Sequence, residues 1–206
     1  MKSYATIEGA AEAELVEKRS RFLSLASPVR DEGEASLLLS QIRARRHDAS
    51  HHCYAYILRA GGIRRYSDDG EPSGTAGMPI LEVLRRRGLS DTMVTVTRYF
   101  GGVLLGAGGL TRAYSQSAAL CLDSAVVLDM RPCAVITLTV PYSLYGKLKN
   151  ILPAYGVKTL ADSFGEEVSL TLRLEKDRLP ALCGELSELT AGAVRPLLLR
   201  EEFAPL

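Results

Sequence analysis

Tryptophan is absent from this chain, histidine occurs three times, and aromatic residues make up only 6% of its 206 positions. No apolar run approaches the roughly 20 residues of a membrane-spanning helix, so no membrane partner is expected. The opening residues, Met-Lys-Ser-Tyr-Ala-Thr-Ile-Glu-Gly, lack the apolar core of a secretion signal, and a cytoplasmic location is expected. Four cysteines, at 53, 121, 133 and 183, include no Cys-x-x-Cys pair. Their scatter excludes a zinc ribbon and a disulfide framework, and their apolar neighbours suit reduced core thiols. There is little net charge either: +1 overall, which supplies no global attraction for nucleic acid. Low-complexity tracts and fixed-period repeats are missing as well.

What is present is organised around residues 67–124. The run Met93 to Thr97 is β-branched and predicts a strand. Glycines at 101, 102, 106, 108 and 109 follow, and then Leu110, Ala113, Tyr114, Ser117, Ala118 and Cys121 recur at helical spacing. Strand, glycine turn and helix leave unpaired N–H groups at a helix N-terminus, where an anion can bind.

Earlier in the chain, residues 11–29 read as two strands broken near Arg19-Ser20, with Leu15, Phe22, Leu23 and Leu25 in the core. Asp31 and Glu34 read as a cap and its partner for a helix that runs to about Arg46. Strands follow at 53–58 and 64–67, with a Gly61-Gly62 turn between them. A helix is predicted from about Ala76 to Arg87, with Pro79 in its first turn and Gly88 past its end. Val126 to Pro132 reads as an exit and linker. Beyond it, alternation over 134–140 and 168–174, helical spacing over 144–152 and 179–189, and strands at 157–163 and 194–200 give the order β-α-β-β-α-β. That is the order of a ferredoxin-like unit. The fold class is therefore α+β, with domains at 1–130 and 131–206.

Three segments carry a likeness beyond composition: His51-His-Cys-Tyr-Ala-Tyr, Tyr66-Ser-Asp-Asp-Gly-Glu-Pro-Ser-Gly-Thr-Ala-Gly-Met-Pro and Arg98-Tyr-Phe-Gly-Gly-Val-Leu-Leu-Gly-Ala-Gly-Gly-Leu-Thr-Arg-Ala-Tyr. In combination they resemble the YigZ/IMPACT family, in its bacterial two-domain form. The resemblance implies a first domain with the left-handed βαβ fold shared by a ribosomal protein and domain IV of elongation factor G. It implies a ferredoxin-like second domain. Eukaryotic members of the family modulate the general-control response that restrains translation initiation. Taken with the glycine turn and the basic stretch 41–65, the resemblance leads to the expectation of a cytoplasmic, non-enzymatic RNA- or ribosome-binding protein that modulates translation, without a cofactor.

The residues expected to bind RNA or another anion are those of the glycine turn: Arg98, Tyr99, Gly101, Gly102, Gly106, Gly108, Gly109, Thr111 and Arg112. The amides of Gly106 to Leu110 would face the anion and Arg98 and Arg112 would supply charge. The other reading of the same glycines is a tight turn that permits close packing. His51 and His52 would join this surface, with Tyr54 and Tyr56 available for stacking, although strand alternation points the two histidines to opposite faces. Arg64 and Arg65 belong to a stretch, 41–65, that holds six arginines (43, 45, 46, 59, 64 and 65) against one acid, Asp48, a local balance of +5. Asp68, Asp69 and Glu71 are candidate ligands for a hard cation, and equally ordinary turn residues. No Gly-x-Ser-x-Gly elbow occurs and no catalytic residue is assigned. The alternative function is an enzyme acting on a phosphorylated small molecule held at the glycine-rich helix start. A protein partner for the C-terminal domain is a third expectation.

Overall fold

The chain opens with Tyr4–Ile7 (β1), Ala11–Glu17 (β2) and Ser20–Pro28 (β3) in a computed structural model that describes residues 2–205. Met1 and Leu206, the outer ends of the two expected domains, lie outside the described residues. The chain divides into two compact units, Tyr4–Leu128 and 129–205, the latter including residues 2–3. In the first, β2 and β3 form a hairpin whose two turn residues, Lys18 and Arg19, both have positive φ (45° and 66°). That geometry matches the right-handed twist of the strands it joins. Glu32–Arg45 (α1) follows, capped as its sequence predicts: the Asp31 carboxylate accepts from the Glu34 N–H at 2.8 Å. Glu34 reaches one residue further back than a capping box requires, to the N–H of Arg30.

His51–Ile57 (β4), Arg64–Ser67 (β5), Gly77–Arg86 (α2), Thr92–Tyr99 (β6) and Gly106–Asp123 (α3) complete the unit. The sheet order is β2-β3-β6-β4-β5, every pairing antiparallel. β6 is central and buried over seven successive residues, because helices cover both faces. On one face α2 and α3 pack Ile80, Leu84, Tyr114 and Ala118 against Phe22, Cys53, Val94 and Val96. On the other, α1 packs Ala35 against Tyr56, Leu58 and Met93. The threonines of β6 tolerate burial because each hydroxyl has a partner: Thr92 with the Ser90 carbonyl, Thr95 with that of Leu25, Thr97 with His52. In β3 the deeply buried side chains are Ser20, Phe22, Ser24 and Ala26; Leu23 and Leu25 alternate onto the opposite face and are only half-buried.

The second unit is built from Val127–Val140 (β7), whose first two residues still belong to the first unit, Tyr142–Ile151 (α4), Lys158–Phe164 (β8), Val168–Glu175 (β9), Leu179–Thr190 (α5) and Leu197–Pro205 (β10). Its strands pair antiparallel in the order β10-β7-β9-β8, the ferredoxin-like arrangement, over Ile136, Leu138, Leu148, Leu172, Leu182 and Leu186. Two boundaries differ from expectation. Residues 127–132, read as a linker, are strand. The last strand begins at Leu197, not Val194, because positive φ at Ala191 and Gly192 and a bond from the Val194 N–H to Thr190 Oγ1 prolong the helix exit. Cys53, Cys121 and Cys133 are buried, whereas Cys183 is only half-buried. Among the described residues no helix is long and apolar enough to cross a membrane.

The turn leaving β6 is set by backbone approach at Gly101. A Cβ there would lie 2.1 Å from the Arg19 carbonyl carbon and 2.4 Å from the Ser20 nitrogen. Gly101→Ala is expected to cost at least about 3 kcal/mol in urea unfolding, since backbone has to move to admit the methyl. Gly108 lies in the first turn of α3 with only Arg112 Nη1 near its would-be Cβ, at 3.9 Å. Gly108→Ala is therefore expected to stabilise by about 0.5–1 kcal/mol in the same assay.

Burial of the His52 ring holds its pKa below the ordinary value. Between that lowered value and the unfolded ring's pKa of about 6.5, the unfolded chain binds more protons, so stability falls as pH drops through this range. Melting curves from pH 7.5 to 5.5 are expected to decline less steeply for His52→Asn than for the wild type.

Candidate functional site

Ser67 ends β5, and the stretch between it and α2 forms a loop held together by two carboxylates. Asp68 Oδ1 accepts the N–H groups of Ala76 and Gly77 at 3.0 and 2.8 Å, and Oδ2 that of Gly74 at 2.8 Å. Asp68 thus ties down the start of α2, which has no side-chain cap at Ala76 itself. Asp69 accepts from Arg43 Nη2 at 2.6 Å and from the His52 N–H at 2.7 Å. Positive φ at Asp69 (43°) and Gly70 (88°) then turns the chain inward and buries Glu71.

The Glu71 carboxylate is the centre of a polar cluster. Its Oε1 accepts from Arg98 Nη1 at 2.6 Å and from the Tyr114 hydroxyl at 2.7 Å. Arg98, only 5% exposed, also donates from Nη2 to Ser20 Oγ at 3.3 Å and lies over the Phe22 and Phe100 rings. Burial raises the Tyr114 phenol pKa and keeps it a hydrogen-bond donor. Burial likewise pushes the Cys53 thiol up to about 12, so that it stays neutral and donates to the Asp68 carbonyl. His51 reaches the same carboxylate from β4, its Nε2 3.9 Å from Glu71 Oε1. Its Nδ1 is 2.8 Å from the Asp69 carbonyl oxygen.

A cleft of about 330 Å³ opens above this cluster. His51, Glu71 and Arg98 supply its polar lining; Pro72, Phe100, Leu104, Leu105 and Leu110 supply apolar walls. A smaller hollow of about 130 Å³ is lined by Glu17, Lys18, Gly109, Arg112 and Gln116. It lies at the first turn of α3, which has no side-chain cap.

The expected surface forms only in part. Gly106, Gly108, Thr111 and Arg112 are exposed and Gly109 is half-buried at the start of α3. Gly102 is exposed in the turn with φ +79°. Gly101 serves packing, and its N–H is given to Ser20 Oγ. Arg98 is not a free cation: Glu71 and Ser20 occupy it. Tyr99 is half-buried, its hydroxyl bonded to Asp48. His52 is buried on the α1 side against Thr97, so the two histidines do part to opposite faces. Tyr54 and Tyr56 stack on each other at 6.2 Å, and Tyr56 is buried. Arg64 pairs across the sheet with Ile57, six residues along β4 from His51, or roughly 20 Å away; Arg65 is its neighbour on this strand and its charge is met by Glu32. The basic stretch is largely neutralised, since acids distant in sequence meet Arg43 (Asp69), Arg59 (Asp91) and Arg65 (Glu32). Asp68, Asp69 and Glu71 face different partners, and among the described residues no three His, Cys, Asp or Glu side chains group to hold a metal ion. Sequence reasoning missed Tyr114, whose one available signal is a lone aromatic in a helix of small residues.

Arg98→Met strands the Glu71 charge in the interior and is expected to cost about 3–5 kcal/mol by urea denaturation. Arg98→Met combined with Glu71→Gln is expected to recover much of that loss, because no buried charge is then left unpaired.

Comparison with known proteins bears on this arrangement. The profile of the Impact N-terminal domain matches residues 18–122, and that of a domain of unknown function (DUF1949) matches 138–193. The IMPACT family member YvyE of Bacillus subtilis is 38% identical over 193 residues, covering 93% of this chain and 89% of that protein. The IMPACT family member YigZ of Escherichia coli is 30% identical over 187 residues, covering 89% and 92%. A solved structure, described as that of a hypothetical protein, superposes with a TM-score of 0.64 at 28% identity, over 98% of this chain and 100% of that one. With its glycine turn, its Asp68–Glu71 loop and both domains matched, the chain belongs to the YigZ/IMPACT family.

Proposed function

We propose that this protein binds RNA, free or on the ribosome, through the α3 end of its first unit, and that it modulates translation by doing so. The observation that carries this reading is a set of exposed cations that, among the described residues, have no carboxylate partner and flank the uncapped start of α3. Lys18 and Arg112 line the small hollow with Gly109, and Arg19 lies in the same hairpin turn, its backbone against Gly101. Helix N–H groups and unpaired cations at one place suit the phosphate backbone of a nucleic acid. This assigns the charge to Lys18, Arg19 and Arg112 and not to the buried Arg98 or to Arg64 and Arg65.

Filter binding to a single-stranded RNA across a salt series tests it. Affinity is expected to fall as salt rises, and Lys18→Ala with Arg112→Ala to lower the log–log slope by about 1.4, roughly 0.7 for each phosphate of a single strand that is no longer neutralised. Arg64→Ala is expected to leave affinity and slope unchanged. Absence of RNA or ribosome association at low salt overturns the proposal.

A further inference from the structure

We infer that the 330 Å³ cleft above Glu71 seats one unstacked nucleobase, with an amino-bearing edge turned toward Glu71 and His51. The inference rests on the RNA-binding reading and adds to it a preference among bases.

The lining excludes a phosphate. Both Nη atoms of Arg98 are already engaged, and an anion would meet the Glu71 carboxylate and apolar walls. Apart from the buried Arg98 Nε–H, what the polar lining offers is acceptors. A backbone carbonyl only accepts, so the hydrogen bond to Asp69 requires the proton on His51 Nδ1. In the neutral ring Nε2 then presents a lone pair, 3.9 Å from Glu71 Oε1, too far to bond it and facing the same space. Glu71 Oε1 already accepts from Arg98 and Tyr114, so the acceptors left for N–H groups from outside are His51 Nε2 and Glu71 Oε2, the latter without a hydrogen-bond partner among the described residues. Arg98, buried at 5% exposure, also lines the cleft and keeps Nε without a partner. The hydrogen bonding of this lining is incomplete in the free protein.

The walls call for a flat apolar face. Phe100 is 49% exposed and Leu104 82% exposed at the mouth. Unpaired RNA bases stack on aromatic side chains in this way and are read by hydrogen bonds on their edges. The volume lies at the small end of ligand pockets, roughly 300–1,000 Å³, and suits one base with its sugar outside. An apolar peptide side chain would cover the walls but leave the acceptors unmet.

The decisive comparison is between oligocytidine and oligouridine of equal length, since cytosine and uracil share size and stacking face but only cytosine carries an exocyclic amine. Fluorescence anisotropy at fixed salt is expected to show at least tenfold tighter binding of oligocytidine. His51→Ala is expected to erase that ratio, and Phe100→Ala to weaken both ligands. NMR on the unmutated protein is expected to show proximity between base protons and the Leu104 and Leu105 methyl groups, which keeps the test independent of whether His51→Ala folds. Cytidine monophosphate giving the same signals supports the base seat while showing that a free nucleotide suffices. Equal affinity for the two oligomers with no base–leucine signals overturns the inference and leaves RNA binding standing. Displacement of oligocytidine from those leucines by an apolar peptide, where no nucleotide displaces it, also overturns it. Failure of every RNA to bind refutes the function proposed above instead.

Discussion

Glu71 is a carboxylate almost without contact with water, and an isolated charge in that position would be strongly unfavourable. It is tolerable only because Arg98 from β6 and Tyr114 from α3 converge on one of its oxygens. Three segments far apart in sequence are therefore obliged to meet: the loop after β5, the end of the central strand and the middle of the glycine-led helix. Once they meet, the position of the loop after β6 follows. Arg98 also holds Ser20, and Ser20 takes the N–H of Gly101. A buried pair of this kind is weak evidence of net stability, because desolvation offsets its attraction, but it is specific about geometry.

That constraint separates two chemistries within one corner of the first unit. Inside, charge is neutralised and walled by Phe100, Leu104 and Leu105, so the cleft favours neutral, flat, donor-bearing groups. Outside, Lys18 and Arg112 have no carboxylate partner among the described residues and stand beside exposed helix amides, in a hollow that Glu17 also lines, which favours anions on balance. A strand of RNA presents both kinds of group at once, phosphate and base, and Leu105 lines both hollows.

The second unit follows a simpler logic. Alternation at period two in β9 puts Val168, Leu170, Leu172 and Leu174 under its helices and leaves Ser169, Thr171 and Arg173 on the other face. β8 is exposed along its whole length as an edge strand, its Phe164 ring meeting that of Tyr145 on α4 edge-on. Local pattern and observed structure agree in β9 because that strand has one dry face and one wet one. They agree less well at the ends of the unit, where the Thr190 hydroxyl decides how far the exit from α5 extends.

Much of the fold was legible in the sequence. Hydrophobic periodicity, the Asp31 cap, the Gly61-Gly62 turn and the run Met93 to Thr97 each depend on neighbours a few residues apart, which a linear reading can see. The same holds for the opposition of His51 and His52. The site was less legible because ion pairing is decided across space. Summed along the chain, residues 41–65 look basic, yet Asp69, Asp91 and Glu32 arrive from elsewhere to neutralise three of the six arginines. Arg98 reads as a phosphate ligand beside a glycine turn, and only the burial of Glu71 reveals that its charge is already spoken for. The amino-acid order thus determined the elements and their faces, through local propensity and alternation. Which charges stay free and which groups line the cleft was decided by tertiary structure alone, because the electrostatic environment of a side chain depends on partners brought close by folding.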